Sequence, residues 1–203
     1  MLDLASPSGN PPANPAGMPD LRHYVRVYDD ALQADFCAAA IQSFHGLTRF
    51  HRGNGRGARA GLEQSAWTEL DITPFADAGF LGFLRTQIDT RLARYNRDVG
   101  LTINIPASAK LSELVIKRYR PQHSESFQLH FDSINDVANR YLVFLWYLND
   151  VEEGGETCFP DLNLAVQPKA GRLLMFPPYW MYQHQAPPPR SGDKYILSTY
   201  LLF

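Results

Sequence analysis

His130 and Asp132 are separated by a single residue in SFQLHFD, residues 126–132. On a strand, neighbouring side chains alternate in direction, so an imidazole and a carboxylate two positions apart share a face. Phe127, Leu129 and Phe131 then make an opposite, apolar face suited to packing against helices, and Gln128, His130 and Asp132 look into the interior of the β-structure. An inward carboxylate and imidazole need compensation. A divalent metal provides it; a buried hydrogen-bonded pair is the alternative, and HxD alone does not separate the two. A third ligand is available in His184 of WMYQHQAPPP, which only the fold can deliver to the same point. Two histidines and a carboxylate make the facial set of non-haem iron(II) oxygenases, which leaves coordination positions open. His23, His45, His51 and His123 fall in expected loops or element ends and have weaker claims.

Lys194 comes ten positions after His184 and opens KYILSTYLLF, where Lys194, Ile196, Ser198, Tyr200 and Leu202 share a face. An inward lysine beside a metal calls for an anion. A bound dicarboxylate fills that role where no protein carboxylate does. Tyr147, sharing a face with Tyr141, Val143 and Leu145, and Tyr119 in IKRY are candidate hydroxyl donors to the same anion. Each tyrosine taken alone reads equally well as a core aromatic. Lys117, two residues before Tyr119, faces the same interior in a regular strand; a lysine reaching out to solvent competes with a contact to a substrate carboxylate.

The elements that must position these groups are short. Residues 1–20 are rich in Pro, Asn, Gly and Ala and read as a flexible tail. HYVRVYDD alternates like a strand, and QADFCAAAIQSF follows as a helix with Phe36, Ala40, Ile41 and Phe44 on one side. TRFHRGNGRGARAG, residues 48–61, reads as a loop, either a solvated connection or a rim over a pocket. GFLGFLRTQIDTRLARYN places Phe80, Leu84, Ile88 and Leu92 at four-residue steps and predicts an amphipathic helix. From about residue 110 the chain breaks into eight β-rich pieces: LSELVIKRY, SFQLHFD, RYLVFLWYLND, GETCFP, LAVQP, RLLMFPP, WMYQHQ and KYILSTYLLF. The predicted fold is mainly β with flanking helices. Its core is a double-stranded β-helix, a cupin-like jelly roll, buttressed by N-terminal helices.

The motifs HFD, YLND, GGETCFP, AGRLLMFPP and QHQ, with Lys194 ten residues beyond, resemble the Fe(II)- and 2-oxoglutarate-dependent dioxygenases of the prolyl 4-hydroxylase-like group. The resemblance runs from about Leu114 to Phe203, and YVRVYDDALQADFCAAAIQSF resembles the strand and helix that precede such domains. It implies that His130, Asp132 and His184 bind iron and that Lys194 pairs with the distal carboxylate of 2-oxoglutarate. It also implies that Tyr119, Tyr147 and Thr157 contact that cosubstrate or line its pocket, and that Tyr200 stands where relatives carry a tryptophan. Between Tyr119 and His130 the chain departs from the group: Phe127 replaces a tyrosine, and Lys117 replaces an apolar residue. Retention of Asp132 favours hydroxylation over halogenation.

The reaction so implied is hydroxylation of an unactivated C–H bond, most readily of a prolyl residue in a peptide or protein. The cofactors are Fe(II), 2-oxoglutarate and O2, with ascorbate a candidate reductant. Hydroxylation of a free amino acid or other small molecule is an alternative. So is a metal-binding jelly-roll module without activity. A metallohydrolase would need a base such as Glu156, which the family turn explains better. A length of 203 residues supports one such domain over 21–203, with support over 21–110 and the core over 111–203. A net charge of -2 gives no reason to expect a nucleic-acid partner, and no apolar run reaches membrane-spanning length. Cys37 and Cys158 read as small buried hydrophobes, and a cytoplasmic home is the expectation. Oligomeric state is not encoded in any motif.

Overall fold

The computed structural model describes residues 20–58, 60–107 and 110–203. The expected tail over residues 1–20 therefore lies, except for Asp20, outside the described residues. Strands β1 (Arg26–Tyr28), β2 (Arg52–Gly55), β3 (Ala66–Asp71), β4 (Val115–Tyr119), β6 (Arg140–Tyr147), β9 (Leu173–Phe176) and β11 (Lys194–Leu202) form one antiparallel sheet, in the order β1-β9-β6-β11-β4-β3-β2. Strands β5 (Phe127–His130), β7 (Thr157–Phe159), β8 (Leu164–Val166) and β10 (His184–Ala186) form a second sheet, in the order β5-β10-β7-β8. The expected jelly roll is thus present, with helices α1 (Ala34–Gly46) and α2 (Ala78–Val99) as its buttress.

Each helix follows from its sequence pattern. In α1, Cys37, Ala40 and Phe44 recur at three- and four-residue steps and are buried. In α2, Leu84, Ile88, Leu92, Tyr95 and Val99 make the buried stripe. The Asp77 carboxylate accepts from the Phe80 backbone N–H at 2.8 Å and caps the start, and Gly100 ends the helix in a left-handed conformation at φ 67°. Both stripes cover one face of the large sheet, where Leu70, Ile116, Phe144, Trp146, Met175 and Leu197 meet them. Full burial of an aromatic or aliphatic side chain such as Phe44 or Ile88 stabilises by about 1.5–3 kcal/mol. The other face of that sheet packs toward the small sheet through Val143, Leu145, Leu174 and Ile196, with Phe159 and Val166 opposite.

Several local expectations are corrected. The Arg/Gly stretch is a loop only in part, since β2 lies within it and pairs with β3 as an edge hairpin. In WMYQHQ, Trp180–Tyr182 is a 3-10 turn, and the strand starts at His184. Tyr141 joins the helix side and packs on Phe203, ring centroids 4.5 Å apart, instead of sharing the Tyr147 face. The cause is a bulge: Leu201 pairs with Leu142 but Leu202 with Arg140, so one extra residue lies on β6. Cys37 is buried as expected, whereas Cys158 is only half-buried, because its neighbours Thr157 and Phe159 take the inward positions of β7.

Candidate active site

β5 and β10 set His130 directly opposite His184. At the next matched pair, Ala186 faces Phe127, so β5 advances three residues while β10 advances two. This bulge overturns strict alternation. Phe127 turns to the same side as His130, and their rings stack with centroids 3.8 Å apart; Trp67 stacks on Phe127 at 4.6 Å. Leu129 is left 46% exposed. The expected apolar face against the helices therefore does not form, because β5 belongs to the sheet that the helices do not cover. Asp132 lies beyond the strand's end. Its backbone N–H donates to the Pro178 carbonyl at 3.1 Å, which fixes the turn that brings its carboxylate back to the histidines.

The ligand atoms of His130, Asp132 and His184 lie within 4.8 Å of one another. Each histidine commits its Nδ1–H to a backbone carbonyl, His130 to Gln128 at 2.7 Å and His184 to Tyr182 at 3.1 Å. That bond sets the tautomer and leaves Nε2 with its lone pair aimed at the centre. The Nε2 atoms sit 3.3 Å and 3.6 Å from the two Asp132 oxygens. Three donors on one face of a metal lie about 3 Å apart when each bond is about 2.1 Å, so small adjustments complete the set. Burial opposes charge on Asp132, but His184 and the His130 hydrogen bond outweigh it and hold the carboxyl well below the usual range. Burial, and then His130, push His184 down to about 4 against the pull of Asp132. A carboxylate beside a neutral imidazole is the form that binds metal.

A narrow cavity of about 40 Å³ continues from this cluster to Lys194. Lys194 is 2% exposed and pairs across the sheet with Tyr119. Its amine lies 5.3 Å from the Tyr119 ring centroid and 5.6 Å from that of Tyr147. Among the described residues no carboxylate pairs with it. Burial pushes its pKa down to about 7, with Cys158 and Glu156 opposing and Lys117 adding to the shift. A buried amine at the closed end of a cavity, with a divalent-metal donor set on the same wall, fits a diacid that chelates at one end and pairs at the other. The glycines of GGET back this arrangement. Gly154 and Gly155 have φ of 74° and 71°, and a Cβ on Gly155 would approach Lys194 Cδ to 3.2 Å.

The remaining expected residues divide. Tyr119, Thr157 and Tyr200 line the cavity, and the Tyr119 hydroxyl has no hydrogen bond among the described residues. Tyr147 does not line it: its hydroxyl donates to Thr157 Oγ1 at 2.7 Å, so it reaches the cavity only through Thr157. Glu156 lies off the cavity and accepts from Gln167 at 3.1 Å, which leaves a metallohydrolase without its base. His23, His45 and His51 bond to Val99, Tyr195 and Phe44 and stand apart from the cluster.

A second, wider cleft of about 470 Å³ shares His130 and Asp132 and is bordered by Gly61, Leu62, Ile134 and Arg140. The end of the Arg/Gly stretch thus does rim a pocket. Arg140 bridges the two regions: it donates to the Asp132 carbonyl at 3.2 Å, and its guanidinium stacks 3.9 Å from the Tyr200 ring centroid. Sequence reading missed Arg140, Trp67 and the inward turn of Phe127. Only Arg140 had a signal, a lone cation at the head of an apolar strand.

Residues 114–202 match the family model of the 2OG-Fe(II) oxygenase superfamily. The chain is 28% identical over 116 residues to prolyl 4-hydroxylase subunit alpha-2 of Gallus gallus, a match covering 57% of this chain and 20% of that protein. It therefore spans about a fifth of that relative's length. Its fold is shared with a Pseudomonas putida prolyl-4-hydroxylase, with a TM-score of 0.64 at 19% identity over 89% of this chain and 92% of the other. A Trichoplax adhaerens prolyl hydroxylase, solved with a hypoxia inducible factor oxygen degradation domain peptide, gives a TM-score of 0.66 at 16% identity, covering 89% and 84%. The jelly-roll half of the chain, with the His–Asp–His cluster and the buried lysine inside it, belongs to the 2OG-Fe(II) oxygenase superfamily.

Proposed function

We propose that the protein hydroxylates an unactivated C–H bond of a prolyl residue in a peptide or protein, using Fe(II), 2-oxoglutarate and O2. The observation that carries this reading is the placement of a convergent His130–Asp132–His184 cluster at one end of a cavity and of the buried Lys194 amine at the other. Iron and 2-oxoglutarate supply the oxidising chemistry, with one oxygen atom going to the C–H carbon and the other to succinate as carbon dioxide leaves. The chain supplies position and dryness. His130 and His184 offer Nε2, with Nδ1–H anchored on carbonyls. Asp132 offers a carboxylate kept ionised by its neighbours. Lys194 pairs with the distal carboxylate of the diacid, assisted by the Tyr119 hydroxyl and by Thr157, which Tyr147 orients.

The wide cleft beside His130 and Asp132 supports an extended substrate, since it is open enough to take a peptide across the metal ligands. The names of the similar proteins, prolyl 4-hydroxylases among them, point to the same class. Ascorbate is the proposed reductant, and two free cysteines fit the proposed cytoplasmic setting. The test is anaerobic titration with Fe(II) and 2-oxoglutarate, followed by oxygen and a panel of prolyl peptides. Succinate formed in step with a hydroxylated peptide supports the reading. Failure of the protein to bind Fe(II) and 2-oxoglutarate together would refute it.

A further inference from the structure

The cavity holds two ammonium groups in matching aromatic settings. Lys194 lies between the rings of Tyr119 and Tyr147, at 5.3 Å and 5.6 Å. Lys117 lies between the rings of Trp67 and Phe127, at 5.7 Å from each centroid. In β4 and β11, Lys194 pairs with Tyr119 and Ile196 with Lys117, so the two lysines are anchored one same-face step apart along the sheet. Phe127 is the ring that stacks on His130, so Lys117 borders the metal-ligand end of the cavity, whereas Lys194 closes the far end. Asp132 is the one carboxylate among the residues lining this cavity, and the metal-ligand role already engages it. Glu69 stands across β3 from Lys117, but its two oxygens accept from Asn54 at 2.9 Å and from the Trp67 indole at 2.6 Å. That grip on Trp67 fixes the ring over which the Lys117 amine sits.

We propose that Lys117 reads a carboxylate of the substrate undergoing oxidation, which makes the preferred substrate one with a carboxylate close to its target carbon. This rests on the reading of the site as a 2-oxoglutarate-dependent hydroxylase. The cosubstrate's distal carboxylate is served by Lys194 at the closed end. A cation at the ligand end, held by aromatic faces that supply no strong acceptor, meets the group that enters from the cleft. The chemistry recognised is a carboxylate; its source is an acidic side chain beside the target in a peptide or the terminal carboxylate of a free amino acid.

The test measures binding as well as turnover. The Mn(II)- and 2-oxoglutarate-loaded protein is titrated under anaerobic conditions with Ac-Ala-Ala-Pro-Asp-Ala-amide against its Asn counterpart, and with L-proline against L-prolinamide. Wild type is expected to bind the acid of at least one pair about tenfold or more tightly. Lys117→Met is expected to erase that preference while leaving the affinity for 2-oxoglutarate within about twofold, and Lys117→Arg to restore part of it. With Fe(II) and oxygen, the same variants should raise the substrate KM more than they lower kcat. Which pair shows the preference identifies the source. No acid preference by wild type in either pair, or a preference that survives Lys117→Met, overturns the proposal. A selective loss of 2-oxoglutarate affinity in Lys117→Met also overturns it, assigning the lysine to the cosubstrate. If wild type fails to bind 2-oxoglutarate at all, the underlying hydroxylase reading fails instead.

Discussion

The two faces of the large sheet are both buried, yet they are built from different chemistry. β11 shows it within one strand. Tyr195, Leu197 and Leu201 join the core beneath α1 and α2, while Lys194, Ile196, Ser198 and Tyr200 line the cavity between the sheets. On the helix side the contacts are apolar and close-packed, and removing one leaves a hole. On the cavity side the fold keeps an ionised carboxylate, two imidazoles and an amine out of water, each of which opposes folding unless a partner is present. The first face supplies stability, and the second spends some of it to hold groups ready for metal and diacid.

This contrast breaks most sharply at Asp132. Asp132→Ala should lower iron affinity by more than the 10–100-fold that loss of an outer hydrogen-bond partner costs, and reduce succinate formation below detection. Urea unfolding of the metal-free protein should change little; a large loss of stability there would mean that Asp132 is structural. Phe44→Ala is the opposite case, because Phe44 is 0% exposed under the sheet. It should cost about 3–5 kcal/mol in unfolding free energy while the folded fraction still binds Mn(II) with unchanged affinity.

Lys194→Met sharpens the comparison, since it should stabilise and disable at once. Removing the buried amine is expected to raise the stability of the cosubstrate-free protein by on the order of 1–4 kcal/mol and to weaken 2-oxoglutarate binding steeply, with Mn(II) affinity spared. The pH dependence has a defined sign. The amine's folded value of about 7 lies below its ordinary 10.5. Between them the unfolded chain holds a proton that the folded chain lacks, so wild type gains stability as pH rises through that window. Lys194→Met should lack this gain in urea midpoints taken near pH 6.5 and pH 9. The diacid needs the charged amine, so its binding should take up protons and weaken above about pH 7, as calorimetry in buffers of different ionisation enthalpy would show. The smallest effect is expected at the surface, where Asp77→Ala removes the α2 cap at a cost of about 1 kcal/mol. The thermal midpoint should fall slightly without any change in the cosubstrate constants.

Much of the site was legible because its chemistry leaves fixed marks in the chain. His130, Asp132, His184 and Lys194 stand out by type, since such groups inside β-rich segments are costly without a purpose. The apolar stripes of α1 and α2 were legible for a related reason: a three-to-four-residue repeat has one solution, a covered helix face. Tyr147 shows the limit. Its inward direction was predictable, but the choice between a diacid and Thr157 as the partner of its hydroxyl depends on β7, ten residues on. Phe127 shows it more strongly, because the bulge in β5 reversed a direction that alternation had assigned to the helix side. The edge hairpin of β2 and β3 was hidden by glycines and arginines that carry little strand preference.

By itself, then, the sequence determined which groups do the chemistry and the order in which the elements holding them occur, since residue type and local periodicity are properties of the chain. Only the tertiary structure decided that two imidazoles meet across β5 and β10, that Tyr147 bonds to Thr157, and that Lys117 lies between Trp67 and Phe127 beside the metal-ligand cluster. Strand register and bulges set those meetings. They arise from pairing between distant segments, where one extra residue redirects a side chain without altering the pattern that a local reading can detect.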